Sequence, residues 1–200
     1  MSIVHRLRSR LTTARPGIAA LALTATMWAV PAGAQMSPAH ARSHQPDRVV
    51  FTVDVAEDFA LFNPTLVKPT DTQPERGSFF VTEGNIYRAG TIQGDGATFD
   101  PNSAGAIGRW FCRGTHLVAA SEIPAAPIWV DTAQMYFLPR DTQSIATEGL
   151  EGGGTIVRTV TGATGRLRGY VGEQRQEFLG FNATGGVNLR VTFILRKATK

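Results

Sequence analysis

The sequence predicts an all-β protein, an eight-stranded antiparallel β-barrel. Beyond the first 34 residues, no window shows a sustained apolar period of 3.6 residues, so long amphipathic helices are not expected. Alternation recurs instead, as in residues 188–195, where Leu189, Val191 and Phe193 alternate with polar residues. About eight such runs, separated by turns with Gly or Pro, favour a barrel because closure leaves no exposed edge; a two-sheet sandwich is the competing architecture.

The chain begins with a pattern typical of a secretory signal peptide. Residues 6–15 are cationic, residues 17–30 are apolar, and Ala32 and Ala34 supply the small residues that signal peptidase requires. The apolar run is shorter than the roughly 20 residues that span a bilayer, so a retained anchor is the less favoured alternative. We therefore expect cleavage after Ala34 and a secreted or periplasmic protein. The Ala-rich signal is typical of bacteria.

The remaining chain divides into a flexible segment, residues 35–48, and a barrel domain, residues 49–200. The first is polar and contains Pro38 and Pro46, which suits a mobile tether. In the second, apolar and β-branched runs predict the strands, with a Pro-punctuated connection after the first. The predicted strands are residues 49–55, 78–92, 106–119, 133–138, 143–151, 155–161, 166–179 and 186–196.

The charge balance does not indicate a nucleic-acid-binding protein. The chain has 20 Lys and Arg against 16 Asp and Glu, a formal net charge of +4. Four of the arginines lie in the predicted signal peptide, so the mature chain is balanced. The usual inference from a basic protein to nucleic acid or an anionic membrane surface therefore does not apply.

The single cysteine excludes an intramolecular disulfide. Its apolar neighbours favour an inert buried thiol, while the even spacing to His116 leaves a Cys112–His116 dyad open. We predict no metal and no cofactor, because His40 and His44 lie in the flexible segment. The strand and glycine turn at 155–165 do not predict a nucleotide site, since no helix and no further parallel strands can follow.

The same glycine turn resembles a family signature. Residues 160–172 resemble the V-T-G-G-S/T-G-x-F-x-G-x-x-G pattern of allene oxide cyclases and the related dirigent proteins, with glycines at 162, 165, 169 and 172. The likeness extends over roughly residues 49–196. It implies an eight-stranded antiparallel barrel that forms a homotrimer and handles small apolar molecules.

The resemblance also implies candidate site residues. In allene oxide cyclases a glutamate on the first strand promotes ring closure, and Asp54 is the nearest acid after a one-residue offset. Asn63 and Pro64 match the family's Ser-Pro pair, which holds a water against the substrate. A competing interpretation places Asp54 on the solvated face, because Phe51 and Val53 form the better apolar face.

A mixed polar and apolar face predicts a second acid. Alternation over residues 78–87 puts five side chains on one face: Phe79, Val81, Glu83, Asn85 and Tyr87. If this face points inward, Glu83 has a raised pKa and serves as a catalytic acid or base, while the other four bind ligand. In the alternative, Phe80 and Ile86 point inward and Glu83 is a solvated charge.

Arginines and aromatic residues complete the candidate set. An inward Arg109 or Arg158 would pair with Glu83 or Glu148, or hold an acidic head group; outward ion pairs are the alternative. Tyr136 would line a pocket or fill the core.

These observations predict a barrel that binds a small hydrophobic molecule in its interior. It is a candidate isomerase or cyclase for an epoxide-like or polyketide-like substrate, acting by enclosing one reactive conformer. The alternatives are a non-catalytic binding barrel and a structural barrel whose interior is filled by side chains.

Overall fold

The computed structural model describes residues 46–123, 125–138 and 143–199. The predicted signal peptide and most of the predicted tether lie outside these ranges. No helix in the described ranges is long and apolar enough to cross a membrane. The described strands are β1 (Arg48–Glu57), β2 (Asn63–Thr65), β3 (Phe79–Arg88), β4 (Gly108–His116), β5 (Val130–Leu138), β6 (Gln143–Glu151), β7 (Thr155–Ala163), β8 (Tyr170–Phe181) and β9 (Val187–Lys197).

Eight of these strands form a closed antiparallel barrel, as predicted. Each strand from β3 to β9 pairs with its chain neighbour, and β1 pairs with β9. The barrel closes where β1 also pairs with β3, from Val53 opposite Arg88 to Glu57 opposite Gly84. Closure removes both sheet edges, and the competing sandwich is therefore excluded.

Strand β2 was not predicted. After Glu57 the chain turns through a short 3-10 helix, Phe59–Leu61, whose first turn is capped by Asp58 Oδ1 accepting from Ala60 N at 3.1 Å. Asn63–Thr65 then pairs with the first residues of β3, so β2 continues the line of β1 after an interruption. A Pro-containing, fully exposed three-residue strand has no alternation by which a sequence could reveal it.

Large side chains fill the middle of the barrel. Trp110, Tyr136 and Ile145 lie opposite one another on β4, β5 and β6, and each is at most 1% exposed. The ring of Phe193 packs edge-on against Tyr136, with 4.9 Å between centroids. Burial of each such side chain contributes about 1.5–3 kcal/mol. This packing divides the interior into two ends.

The connection between β3 and β4 covers part of the outer surface. Ile92, in this connection, donates its backbone N–H to Asp54 Oδ2 at 2.9 Å. Tyr87 packs edge-on against Phe99, 5.0 Å between ring centroids, and is completely buried. The second half of β1 is therefore buried on both faces, whereas an ordinary barrel strand is buried only on its inner face.

The glycine turn that resembles the family signature joins β7 to β8. Gly165 and Gly169 have φ of 59° and 82°, which favour glycine; Gly165 begins a 3-10 turn, Gly165–Leu167, and Gly169 follows it. A Cβ at Gly172 would lie 2.1 Å from the Ile194 carbonyl oxygen of β9. This turn delays the start of β8 to Tyr170, four residues later than predicted from the sequence.

Candidate functional site

One end of the barrel holds a small chamber in which charged groups meet aromatic walls. The cavity has a volume of about 110 Å³ and lies beyond the packed middle, where β1, β4 and β6 end and β3, β5 and β9 begin. Half-buried Phe62, Ile123, Trp129 and Phe178 border it, so it communicates with solvent. Its polar lining consists of Glu57, Thr82, Cys112, His116, Glu151 and Gln176.

Glu57 occupies this chamber because β1 alternates inward at Val53, Val55 and Glu57. Its two oxygens accept hydrogen bonds from Thr82 Oγ1 at 2.6 Å and from the backbone N–H of Val187 at 2.9 Å. The residue is 6% exposed. Its carboxyl group is thus held in one orientation by two neighbouring strands.

Burial raises the pKa of the Glu57 carboxyl group above its ordinary value of 4.5. The hydrogen bonds from Thr82 and Val187 oppose the increase, and the charges of Glu151 and Asp58 add to it. Desolvation is the largest of these causes. A carboxyl group in this position can keep its proton at a higher pH than a solvated one, which is the property of a general acid.

Glu151 forms the centre of a hydrogen-bond network in the same chamber. Its Oε1 accepts from Thr132 Oγ1 and from Gln134 Nε2, the latter at 2.7 Å, and its Oε2 accepts from Gln176 Nε2 at 3.0 Å. Gln174 and Tyr136 extend the network towards the middle of the barrel. Each of these three hydrogen bonds is thus donated to the carboxylate.

Arg158 supplies the positive charge for this network. The side chain is fully buried, its Nη1 lies 3.5 Å from Glu151 Oε1, and its two terminal nitrogens donate to the carbonyls of Thr132, Gly149 and Leu150. Of the two orientations that the sequence left open, Arg158 takes the inward one, and its acid partner is Glu151 and not Glu83 or Glu148. A guanidinium shared among carbonyls and one carboxylate is well suited to the barrel interior.

Cys112 and His116 both face this chamber but do not form a dyad. The Cys112 thiol lies 3.8 Å from Glu151 Oε1, and burial raises its pKa well above 9.0. In the described part of the chain, neither ring nitrogen of His116 has a hydrogen-bond partner, and burial lowers its pKa. The buried Cys112 thiol therefore fits the interpretation of an inert cysteine, and burial favours the neutral form of the His116 ring. Within the described ranges, no three acidic, His or Cys side chains are grouped to hold a metal.

The face of β3 that was considered for the site lies outside the barrel. Phe80, Thr82 and Ile86 point inward, which is the alternative orientation. Glu83 is half-exposed and receives Arg109 Nη2 at 2.5 Å. On the same outer face Phe79 and Val81 are exposed, Asn85 donates to the Pro101 carbonyl, and Tyr87 is buried beneath the β3–β4 connection.

Asp54 also faces outward, but it is not solvated. It is fully buried and accepts from Arg190 Nε at 2.9 Å and from Ile92 N at 2.9 Å. Both sequence interpretations of Asp54 are therefore corrected, because the β3–β4 connection covers it. Its position fits a structural anchor and not an interior catalytic acid.

Several other candidate residues converge on the outer surface. A groove of about 360 Å³ on the outside of β3–β6 is lined by Asn63, Val81, Glu83 and Glu148, among others. Pro64 lies in the exposed β2. Tyr136 points inward, where it fills the core. The structure thus separates these residues from the chamber at Glu57.

The sequence analysis did not select the chamber's two acids. Glu57 continues the inward alternation of Val53 and Val55, and Glu151 continues that of Ile145 and Thr147. The signal was present, since each acid ends an otherwise apolar or uncharged face. This pattern alone does not indicate a site, because the sequence does not show that Phe62 and Trp129 cover the strand ends.

Comparison with known proteins identifies the fold. No family model matches the sequence, and no curated protein matches it. Among solved structures, one pterocarpan synthase dirigent protein aligns with a TM-score of 0.57 at 9% identity, over 78% of this chain and 99% of that chain. A second pterocarpan synthase dirigent protein aligns with a TM-score of 0.52 at 10% identity, over 76% and 90%. The predicted resemblance to dirigent-type barrels is thereby confirmed for the fold.

Proposed function

We propose that this protein binds a small hydrophobic molecule in the chamber at Glu57 and catalyses its isomerisation or cyclisation. The observation that carries the proposal is a carboxyl group of raised pKa, held at 2.6 Å from a hydroxyl group and facing a cavity with aromatic walls. The dirigent fold supports it, because the similar structures are named as synthases of a small molecule. An epoxide-like or polyketide-like substrate remains the proposed class.

In this proposal Glu57 is the catalytic residue and acts as general acid. It donates its proton to an epoxide or carbonyl oxygen of the ligand and recovers a proton from the carbon skeleton as the product forms. Substrate and product of an isomerisation have the same composition, so the step needs no cofactor. General acid–base catalysis of this kind contributes on the order of 10²–10⁴-fold.

The neighbouring groups would orient the ligand. His116 offers two unpartnered ring nitrogens to a ligand oxygen or hydroxyl group, and the Glu151 network keeps a second polar wall in place. The volume of about 110 Å³ is below the 300–1,000 Å³ of typical ligand pockets. The chamber therefore encloses the reacting end of the ligand, and the remainder extends past Phe62 and Trp129. Enclosure of one conformer favours one product.

The test combines binding and turnover. The protein is titrated with an environment-sensitive apolar fluorophore, which is displaced by a panel of oxidised fatty acids, polyketide-like epoxides and phenolics; displaced compounds are then assayed for isomeric products. We expect Glu57→Gln to lose turnover by about 100-fold or more while ligand affinity stays within about threefold. Glu83→Gln, an equivalent change on the outer face, is the matched control.

Two other results would assign another function. Saturable binding without turnover in the wild-type protein would establish a non-catalytic binding barrel, which the small chamber also permits. No saturable binding by any compound would favour the structural barrel, since the middle of the interior is already filled by Trp110, Tyr136 and Phe193. Equal turnover in Glu57→Gln and wild type would remove Glu57 from the mechanism.

We further propose a homo-oligomer, a trimer by family resemblance. The outer face of β3–β5 exposes five large apolar side chains, Phe79, Val81, Phe111, Met135 and Phe137, each 38–48% exposed. Contiguous patches of this kind usually mark interfaces. Light scattering should give a trimeric mass for the wild type and a monomeric mass for Met135→Glu. Val171→Glu, at an equally exposed apolar position on β8, should remain trimeric.

Export is the remaining proposal, supported by the residues of the signal pattern alone. Expression of the full chain in a bacterium should release a mature protein beginning at Gln35. Mass spectrometry of the fractionated cells tests this proposal. A cytoplasmic protein that still carries its first 34 residues would contradict export.

A further inference from the structure

A second, larger cavity opens at the opposite end of the barrel from Glu57. It has a volume of about 1040 Å³ and is formed where β1, β8 and the end of β5 meet the β3–β4 connection. This volume is at the upper end of the range of ligand pockets. The packed middle of the barrel separates it from the Glu57 chamber, so it is a distinct site.

The wall of this cavity is apolar. Val49, Phe51 and Val53 continue the inward face of β1, and only Val53 among them is fully buried, so the other two present surface to the cavity. Leu138 and Tyr170 complete the wall from β5 and β8. A half-exposed apolar wall inside a concavity favours a ligand with an apolar body.

Arg88 adds a positive charge at the rim. It follows Ile86 on the inward face of β3 and lies opposite Val53 of β1. Among the described residues, nothing forms a hydrogen bond or ion pair with its guanidinium group. The described lining contains no carboxylate, and it includes Arg109, whose partner Glu83 lies outside the cavity. The charged side chains of the described lining, Arg88, Arg109 and Arg166, are thus all cationic, and they lie beside an apolar wall.

We infer that this cavity binds an organic monoanion with a flat or bulky apolar body, and that Arg88 recognises its charge. The apolar body packs on Phe51 and Tyr170, and the anionic group meets the guanidinium at the rim. A guanidinium fork favours planar or branched oxyanions such as carboxylates and sulfonates. This site is independent of the proposed chemistry at Glu57.

A pair of fluorescent probes that differ in charge tests the inference. 1-Anilinonaphthalene-8-sulfonate and N-phenyl-1-naphthylamine share one aromatic body, and only the first is an anion. With the full protein, we expect Arg88→Gln to weaken binding of the sulfonate by about fivefold and to leave the neutral probe unchanged. Arg175→Gln, at an exposed arginine paired with Glu173 on the outside of β8, should alter neither.

A second variant locates the binding. Val49→Trp fills the cavity from a half-buried position and should weaken both probes, whereas Val157→Trp, at an exposed position on the outer face of β7, should weaken neither. Sulfonate binding that is equal in Arg88→Gln and Arg175→Gln would overturn the role of Arg88. Unchanged binding of both probes in Val49→Trp would show that they bind elsewhere and would overturn the site, without bearing on the chemistry proposed for Glu57.

Discussion

Replacement of Glu57 by Gln should change how the stability of the protein depends on pH. The amide has nearly the shape of a protonated carboxyl group. It can keep both contacts of the carboxyl group, because the Val187 backbone N–H donates to its oxygen as before and Thr82 Oγ1, which donates to the carboxyl group, can accept from the amide nitrogen. The substitution therefore removes the titration while it leaves the packing in place.

The direction in which stability changes with pH follows from the raised pKa of Glu57 in the folded protein. Below about pH 4, both the folded and the unfolded chain hold the proton, and pH has no effect through this group. Above 4.5, the unfolded chain releases the proton while the folded chain keeps it, so the folded state loses relative stability as pH rises. The loss stops once pH exceeds the pKa of the folded state.

The slope is about 1.4 kcal/mol per pH unit within that window. Urea unfolding of wild type and Glu57→Gln at half-unit steps from pH 4 to 8 measures it. We expect the free energy of unfolding of Glu57→Gln, relative to wild type, to increase from pH 4.5 upward and then level off. Contributions of groups that do not interact with Glu57 cancel in this difference. A difference that is constant with pH, or that decreases, would refute a raised pKa at Glu57.

Three further outcomes test the surrounding structure. Asp54→Asn should destabilise the protein by about 2 kcal/mol in a urea unfolding assay. This value is below the 3–5 kcal/mol of a fully buried ion pair, because the Arg190 side chain is 34% exposed. Glu83→Gln, which breaks a half-exposed pair, should cost under about 1 kcal/mol in the same assay. Arg158→Met should destabilise by about 3–5 kcal/mol, since it removes the positive charge beside Glu151 and the donor to three carbonyls, and a loss below about 1 kcal/mol would contradict the interior network. The Cys112 thiol should resist alkylation at pH 8 in the native protein and react rapidly in urea, because it is buried with a pKa well above 9.0; rapid stoichiometric labelling of the folded protein would contradict this.

The barrel itself could be predicted from residue patterns. Alternation with a period of two located all eight barrel strands, and β6 was predicted with its observed bounds, Gln143–Glu151. The glycine turn before β8 was also recognisable, because positive φ at Gly165 and Gly169 is a local requirement. These features depend on neighbouring residues along the chain, so the sequence contains them directly.

Which face of a strand points inward could not be predicted for β3. Both of its faces carry apolar residues, Phe79 and Val81 on one and Phe80 and Ile86 on the other. Alternation establishes that two faces exist, but pairing with β1 and β4 selects the inner one, since a shift of one residue exchanges them. The interpretation of Glu83 as an interior acid was wrong because it assumed the opposite face of β3 to be the inner one.

The residues of the candidate site come together only through long-range contacts. Glu57 and Glu151 end strands that are far apart in the chain, and closure of the barrel brings both into one chamber with Thr82. Asp54 is a buried anchor because a connection from elsewhere in the chain lies over it. Local periodicity specifies that a strand forms and how its side chains alternate. Burial, and with it the pKa of an acid, depends on what packs against that strand, and no local pattern contains this information.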